Sequence, residues 1–435
     1  MEIRSDEAEH HGYACGKVPE SAQGSGWRIF FIVSGTLCGL PVFILSARIF
    51  GSLGFEQGLK AILLGGTITG ALAALSAFTG SRARSGLAVL ADYAFGPLGA
   101  RIVKLVIAIS LVGWFGVNIG VVGATVASAL AQMSGWRVPP LAIGLPMSIG
   151  IAAVTMFGAV GLERLGNVLV PLTGCVLLLS VFLVVPNLHQ IWAAKSTGTL
   201  DFASCVSAVV GTSVVGVVIQ PDYGRFVRRP YQAAMGSGLS LGLVYPLIMA
   251  MSALATLALG AHDLISAMIM LGFGLPALAV LLMGAWIDTC AAMYSASLSF
   301  ANQLPRLSFQ AIVGGIWFLG VLLVLLGVAT VFIPFLLTLG LALPPLATVL
   351  IFSHFLNPAK ADARGSALAA TCWLIGSLVG FATTRNVFAI SGLPVLDSIA
   401  ATAAAFVLIH LSLAHGAPTA GYQADRGRRG APDGD

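Results

Sequence analysis

Apolar stretches of about 20 residues follow one another from Trp27 almost to His415, with only short loops between them. No other feature constrains the fold as strongly. In lipid, every backbone N–H and C=O of such a stretch must be satisfied within the protein, so only helices or a closed barrel can carry it. The stretches lack period-two alternation, which selects a helical bundle over a barrel. Charge agrees: 9% of the 435 residues are charged, against roughly 25% in soluble domains. The expectation is an all-α polytopic membrane protein, integral to the cytoplasmic (inner) membrane.

Twelve transmembrane helices are expected. Five fall in residues 27–186, five in 203–356 and two in 366–414. The third, near 97–132, is long for one crossing and is expected to tilt or to begin outside the bilayer. Residues 1–26 are polar and lack the apolar core of a signal peptide, so they read as a disordered cytoplasmic tail, as do residues 416–435. With both termini cytoplasmic, inner loops hold Arg82, Arg84, Arg164, Arg225, Arg228, Arg229, Arg306, Lys360 and Arg364. Outer loops hold Arg137, Lys195 and Arg385. That asymmetry follows the positive-inside rule and supports an even number of spans.

Several function classes are excluded early. The net charge of +5 lies in short loops and forms no basic face with interleaved aromatics, so nucleic acid is not an expected partner. The six cysteines show no CxxC spacing. No HExxH, phosphate loop or GxSxG is present, and no cofactor or obligate protein partner is expected. An intramembrane enzyme would need a nucleophile–base pair or metal ligands at depth. His189, His262, His354 and His415 fall at span ends or in loops instead, and His410 stands alone. Gly66/Gly70 and Gly238/Gly242 are spaced for close helix contact, with no oligomer implied.

Two features point to transport. Span 1 has Gly35, Gly39 and Pro41 within seven residues, and span 6 has Gly211, Gly216 and the Gln220-Pro221 pair. Glycine and proline interrupt the backbone ladder. Spans 1 and 6 are five apart, so these are corresponding places in two halves of opposite orientation. Such paired interruptions mark a transporter binding site, and they favour an occluded site over the open pore of a channel. The second feature is Asp288, in the middle of the apolar stretch Leu281 to Asn302. A carboxylate at that depth costs roughly 2.5–3.5 kcal/mol and belongs against protein or a water-filled cavity.

Four motifs resemble the nucleobase–cation symporter family, and within it the bacterial cytosine permeases. Val112-Gly-Trp-Phe-Gly-Val117 looks like the family's VGWFGV. Pro221-Asp-Tyr-Gly-Arg-Phe226 is similar to its D-[FY]-x-R-F signature. Tyr294 with Ser295 to Asn302 resembles LYxxGLGFAN, and Leu343-Pro-Pro345 matches IPP. The resemblance implies a five-plus-five inverted repeat with helices 1 and 6 broken, followed by two further helices. It also implies alternating access, and import of a cytosine- or purine-like heterocycle coupled to H⁺ or Na⁺. Carried over position by position, substrate contacts fall on Gly39, Trp114, Thr212, Ser213, Val215 and Gly284, and ion coupling on Gly35, Cys38 and Asp288. The chain departs from cytosine permeases in places. Leu111 stands where they have Gln, Cys38-Gly39 where they have a Phe pair, Thr212-Ser-Val-Val215 in place of Ser-Phe-x-Ser, and Gly284 to Ala291 in place of N-x-W-T-T-N-D-N.

From their own chemistry, Trp114 offers a face for stacking and an indole N–H. Thr212 and Ser213 offer hydroxyls where span 6 is expected to unwind. Asp288 has several roles open: a proton carrier, a Na⁺ ligand, a partner for a cationic group on the substrate, or a buried structural carboxylate. Asp222 and Arg225, at the inner end of span 6, are expected to set loop geometry or to form a cytoplasmic gate.

Overall fold

The computed structural model describes residues 16–156, 160–193, 196–301, 303–304, 306–356 and 363–415. Residues 1–15 and 416–435, Lys195, Asn302 and Lys360 lie outside them. Among the described residues, eight helices are long and apolar enough to cross a bilayer, and three shorter apolar helices accompany them. The principal helices are α1 (Gly26–Thr36), α2 (Leu40–Ala83), α3 (Leu87–Ser134), α4 (Pro140–Met156) and α5 (Val160–Val184). They continue with α6 (Phe202–Val218), α7 (Gln220–Gly224), α8 (Pro230–Leu259), α9 (Leu264–Met270) and α10 (Gly274–Ala301). The last four are α11 (Phe309–Leu325), α12 (Phe332–Leu356), α13 (Ala363–Thr384) and α14 (Pro394–His415).

Two of these are each a pair of helices joined at a glycine in the left-handed region. Gly54 (φ 75°) divides α2 and Gly96 (φ 63°) divides α3. A side chain would be strained at either place, so glycine permits the turn. The expected third span, 97–132, lies wholly after Gly96, and a separate short helix precedes it. Lys104 spans that joint: its buried ammonium bonds both carboxylate oxygens of Asp92 at 2.9 Å.

The breaks in spans 1 and 6 each end two residues before a proline. α1 stops at Thr36, Leu37 to Gly39 leave the helix with Gly39 extended (ψ 148°), and α2 restarts at Leu40 with Pro41 in its first turn. α6 stops at Val218, Ile219 breaks the ladder, and α7 restarts at Gln220 with Pro221 in its first turn. Proline has no N–H and its ring collides with the carbonyl four residues back, whereas the first turn of a new helix tolerates it.

The second break lies further along than the glycines of span 6 suggest. Gly211, Thr212 and Ser213 sit inside the continuous helix α6. Gly211 lets α6 rest directly on the Leu336 carbonyl of α12. Gly35 is likewise within α1, with the opening two residues beyond it. The two GxxxG pairs do meet: a Cβ on Gly70 would lie 2.5 Å from the Gly242 Cα and 3.1 Å from the Gly238 carbonyl.

Residues 18–24 also differ from the expected disordered tail. Val18 is fully buried and donates its amide to the Arg84 carbonyl at 2.8 Å. Gly24 exchanges main-chain bonds with Phe226 and Arg228. Gln23 Nε2 donates to the Arg225 carbonyl, and Glu20 pairs with Arg84.

The helices pack as two groups. α2 lies against α6, α7 and α8, and α12 covers α6. α3 lies against α4, α10 and α11. The two broken spans sit where the groups face each other.

Candidate substrate and ion site

A cavity of about 680 Å³, including the part open to solvent, lies between the two groups. Val33, Thr36, Leu37, Pro41 and Val42 border it at the first break, and Gly216, Ile219, Gln220 and Tyr223 at the second. Each helix stops there because of its proline, so both breaks give onto the same space. α6 adds Thr212, Ser213 and Val215, α8 adds Tyr245, α3 adds Leu111 and Trp114, and α10 adds Asp288.

Asp288 is the one formally charged residue among those bordering the cavity. Trp114 Nε1 and Asn118 Nδ2 both donate to its Oδ2, each at 3.0 Å. Trp114 and Asn118 are one turn apart on α3, so they share a face. On the other side, Asp288 Oδ2 lies 3.0 Å from where a Cβ of Gly39 would be, at the N-terminal end of α2. That end carries the positive pole of the helix and free amides, which favour an anion. Asp288 is therefore bonded to α3 through Oδ2 alone and stands against the break in span 1. Asp397 is the useful contrast. Thr383 and the Ile390 amide donate to one of its oxygens, and the Ser391 amide and hydroxyl to the other. Asp397 holds a loop, and its hydrogen-bonding capacity is used locally.

Trp114 is 7% exposed and is fixed at both edge and face: its N–H goes to Asp288, and Phe335 lies nearly parallel to it (27°) with centroids 6.4 Å apart. The indole N–H is thus not left for a ligand, and Trp114 offers its ring surface.

Of the other residues singled out from the sequence, Thr212, Ser213 and Val215 border the cavity. The two hydroxyls bond carbonyls of their own helix, so no unwound backbone accompanies them. Gly39 adjoins it through Asp288. Gly284, Gly35 and Cys38 do not border it. Gly284 packs on the Cys38 carbonyl at the first break, and Cys38 Sγ is directed to the Ser34 carbonyl at 3.4 Å. Asp222 and Arg225 stand away from the cavity at the end of α7. Asp222 Oδ1 accepts the Leu87 amide at 2.9 Å, and Arg225 Nε bonds the Asp222 carbonyl at 3.1 Å, over the Phe226 ring.

Asn118, Gln220, Tyr245 and Thr36 are additions that the sequence reading missed. Asn118 had a signal, its four-residue spacing from Trp114. Gln220 had another, its place immediately before a helix-breaking proline. Tyr245 and Thr36 had none: they reach the cavity through packing.

Comparison with known proteins agrees with this architecture. The family described as permease for cytosine/purines, uracil, thiamine, allantoin matches residues 17–366. The cytosine permease of Escherichia coli strain K12 is 27% identical over 361 residues, covering 80% of this chain and 82% of that protein. Among solved structures, the nucleobase-cation-symport-1 family transporter Mhp1, in a closed conformation with bromovinylhydantoin bound, has a TM-score of 0.74 at 16% identity. That likeness covers 92% of this chain and 94% of Mhp1. A Na⁺-coupled sialic acid symporter has a TM-score of 0.65 at 11% identity, over 90% of each chain. The match to Mhp1 extends to the inverted-repeat packing of the helices. With a family match over most of its length, a cavity between two helix groups and two spans broken beside it, this chain belongs to the cytosine/purine, uracil, thiamine and allantoin permease family, and it is a polytopic membrane transporter and not an enzyme.

Proposed function

We propose that the protein is a secondary-active symporter that imports a nucleobase or related small planar heterocycle by alternating access, with a cation coupled at Asp288. The observation that carries this reading is the meeting of both broken spans, a flat aromatic surface and a lone carboxylate at one cavity. Trp114 provides a stacking surface, worth roughly 1–3 kcal/mol for a planar base. Thr212, Ser213 and Val215 form the wall opposite α3, and Gly39 and Gly284 keep the first break close to α10. Asp288 provides the charge that a coupling ion compensates, beside a break that Gly35 precedes by two residues and Cys38 lies within.

The twelve-span arrangement belongs to this proposal. α2 and α3 each turn at a glycine, and the shorter apolar helices α4, α6 and α11 complete the crossings. Cytoplasmic termini are supported by the contacts of residues 18–24 with Arg84, Arg225 and Arg228, since these arginines belong to the basic side of the chain. The identity of the ion, H⁺ or Na⁺, is open within the proposal, and the chemistry of a carboxylate suits either.

The test is uptake by proteoliposomes. Labelled cytosine and adenine should accumulate when an inward pH or Na⁺ gradient is imposed, and exchange without one. Uptake that only equilibrates, unaffected by either gradient, would remove the coupling. A second reading, in which Asp288 receives a cationic group of the substrate itself, is favoured by the absence of any cationic side chain among the residues bordering the cavity. Accumulation driven by membrane potential alone would support it.

A further inference from the structure

Several polar side chains around the cavity share a bias. Thr36 Oγ1 donates to the Val33 carbonyl at 2.8 Å and Thr212 Oγ1 to the Ala208 carbonyl at 2.8 Å. Ser213 Oγ donates to the Val209 carbonyl at 3.3 Å, and Tyr245 Oη to the same oxygen at 3.0 Å. The Trp114 N–H is taken by Asp288. With these protons committed, what the groups still offer a ligand is lone pairs, or from Trp114 a ring surface.

Gln220 carries the pattern furthest. It is 1% exposed, borders the cavity and begins α7 just after the break at Ile219. Its Nε2 donates to the Gly216 carbonyl at 3.1 Å. Its Oε1 is buried and has no partner in the protein. A buried amide oxygen without a donor is costly and uncommon in native structures. The neighbouring Pro221 has no N–H to give it.

We propose that Gln220 reads the substrate: its Oε1 accepts an N–H from the transported ring, which therefore turns a donor-bearing edge toward the break between α6 and α7. The inference rests on the heterocycle-transport reading and narrows it, from planar rings in general to rings with an exocyclic amino group on that edge. A carbonyl placed there would set oxygen against oxygen, and a site built from acceptors rejects it. A proton or Na⁺ held at Asp288 leaves Gln220 Oε1 an acceptor, so the assignment is independent of the coupling ion.

The test uses the purified full chain in lipid nanodiscs and ring pairs that differ by amino against oxo at one position, cytosine with uracil and adenine with hypoxanthine. Thermal-shift titration should show the amino member of each pair binding about tenfold more tightly. Gln220→Met keeps a similar volume without the oxygen, and should bring the ratio to within about threefold. A residue that only held the Gly216 carbonyl would lower the melting temperature of the ligand-free protein and leave the ratio unchanged. Equal or tighter binding of the oxo members in the wild type overturns the inference, as does a full ratio surviving in Gln220→Met, while heterocycle transport stands in both cases. If no ring shifts the melting of well-folded wild type, heterocycle transport falls and this assignment with it. Should Gln220→Met fail to fold, the wild-type ratio decides alone.

Discussion

At the scale of single residues, the centre of the proposed site is one carboxylate oxygen with two donors. Asp288 Oδ2 receives Trp114 Nε1 and Asn118 Nδ2, which fixes the indole before any ligand arrives. A ring already held in place loses little further freedom when a base stacks on it. Trp114→Ala should therefore lower substrate affinity by roughly 1–3 kcal/mol, about five- to 150-fold, while the protein still inserts and melts cooperatively. Wild-type affinity in that variant, measured by ligand-induced thermal shift, would take Trp114 out of the site. Trp114→Phe keeps a ring and removes the N–H, so it should retain part of the affinity. Asp288 was legible in the sequence because a charge at membrane depth is conspicuous. Its partners were less so: an amide costs less in lipid than a charge and gives a fainter signal, and only the spacing of Asn118 from Trp114 indicates that the two share a helix face.

At the scale of helices, the prolines were better guides than the glycines. Pro41 and Pro221 each follow a break by two residues, because a helix cannot run through the carbonyl their rings would strike. Glycine has two uses that a sequence does not separate: it can release the backbone, or it can let another helix approach. Gly54 and Gly96 do the first, at positive φ. Gly211 does the second, and its contact is with a residue more than a hundred positions away in the chain, the Leu336 carbonyl of α12. A side chain at Gly211 therefore separates α6 from α12 and does not fill the cavity. Gly211→Ala should destabilise the ligand-free protein by roughly 1–3 kcal/mol through overpacking, seen as a lower midpoint of thermal unfolding. The folded fraction should bind substrate with near-normal affinity. An unchanged midpoint with abolished binding would instead place Gly211 at the ligand. The same ambiguity explains why Thr212 and Ser213 were expected at an unwound segment. They border the cavity from an intact helix, and the opening lies beyond them at Ile219.

At the scale of the molecule, the cavity lies between two helix groups; Asp288 bonds from α10 to α3 within one group and lies against the start of α2 in the other. The family and the pairing of spans 1 and 6 were legible because local motifs and prolines carry them. The side on which each group packs was not, because it depends on contacts between distant segments. Coupling requires that the ion and the substrate each alter the affinity for the other, by about 1–3 kcal/mol in typical cases. A carboxylate whose charge changes as the groups rearrange can supply that difference. Asp288→Asn removes the charge and keeps an oxygen to accept from Trp114 and Asn118, so the local geometry should persist. In proteoliposomes the variant should exchange labelled substrate across the membrane at a rate within a few-fold of wild type. It should no longer concentrate substrate when a pH or Na⁺ gradient is imposed. Accumulation with unchanged ion dependence would make Asp288 a structural brace like Asp397. Loss of exchange together with accumulation, in a protein that still folds, would mean that the charge is needed to bind the substrate itself. The cation would then be part of the cargo.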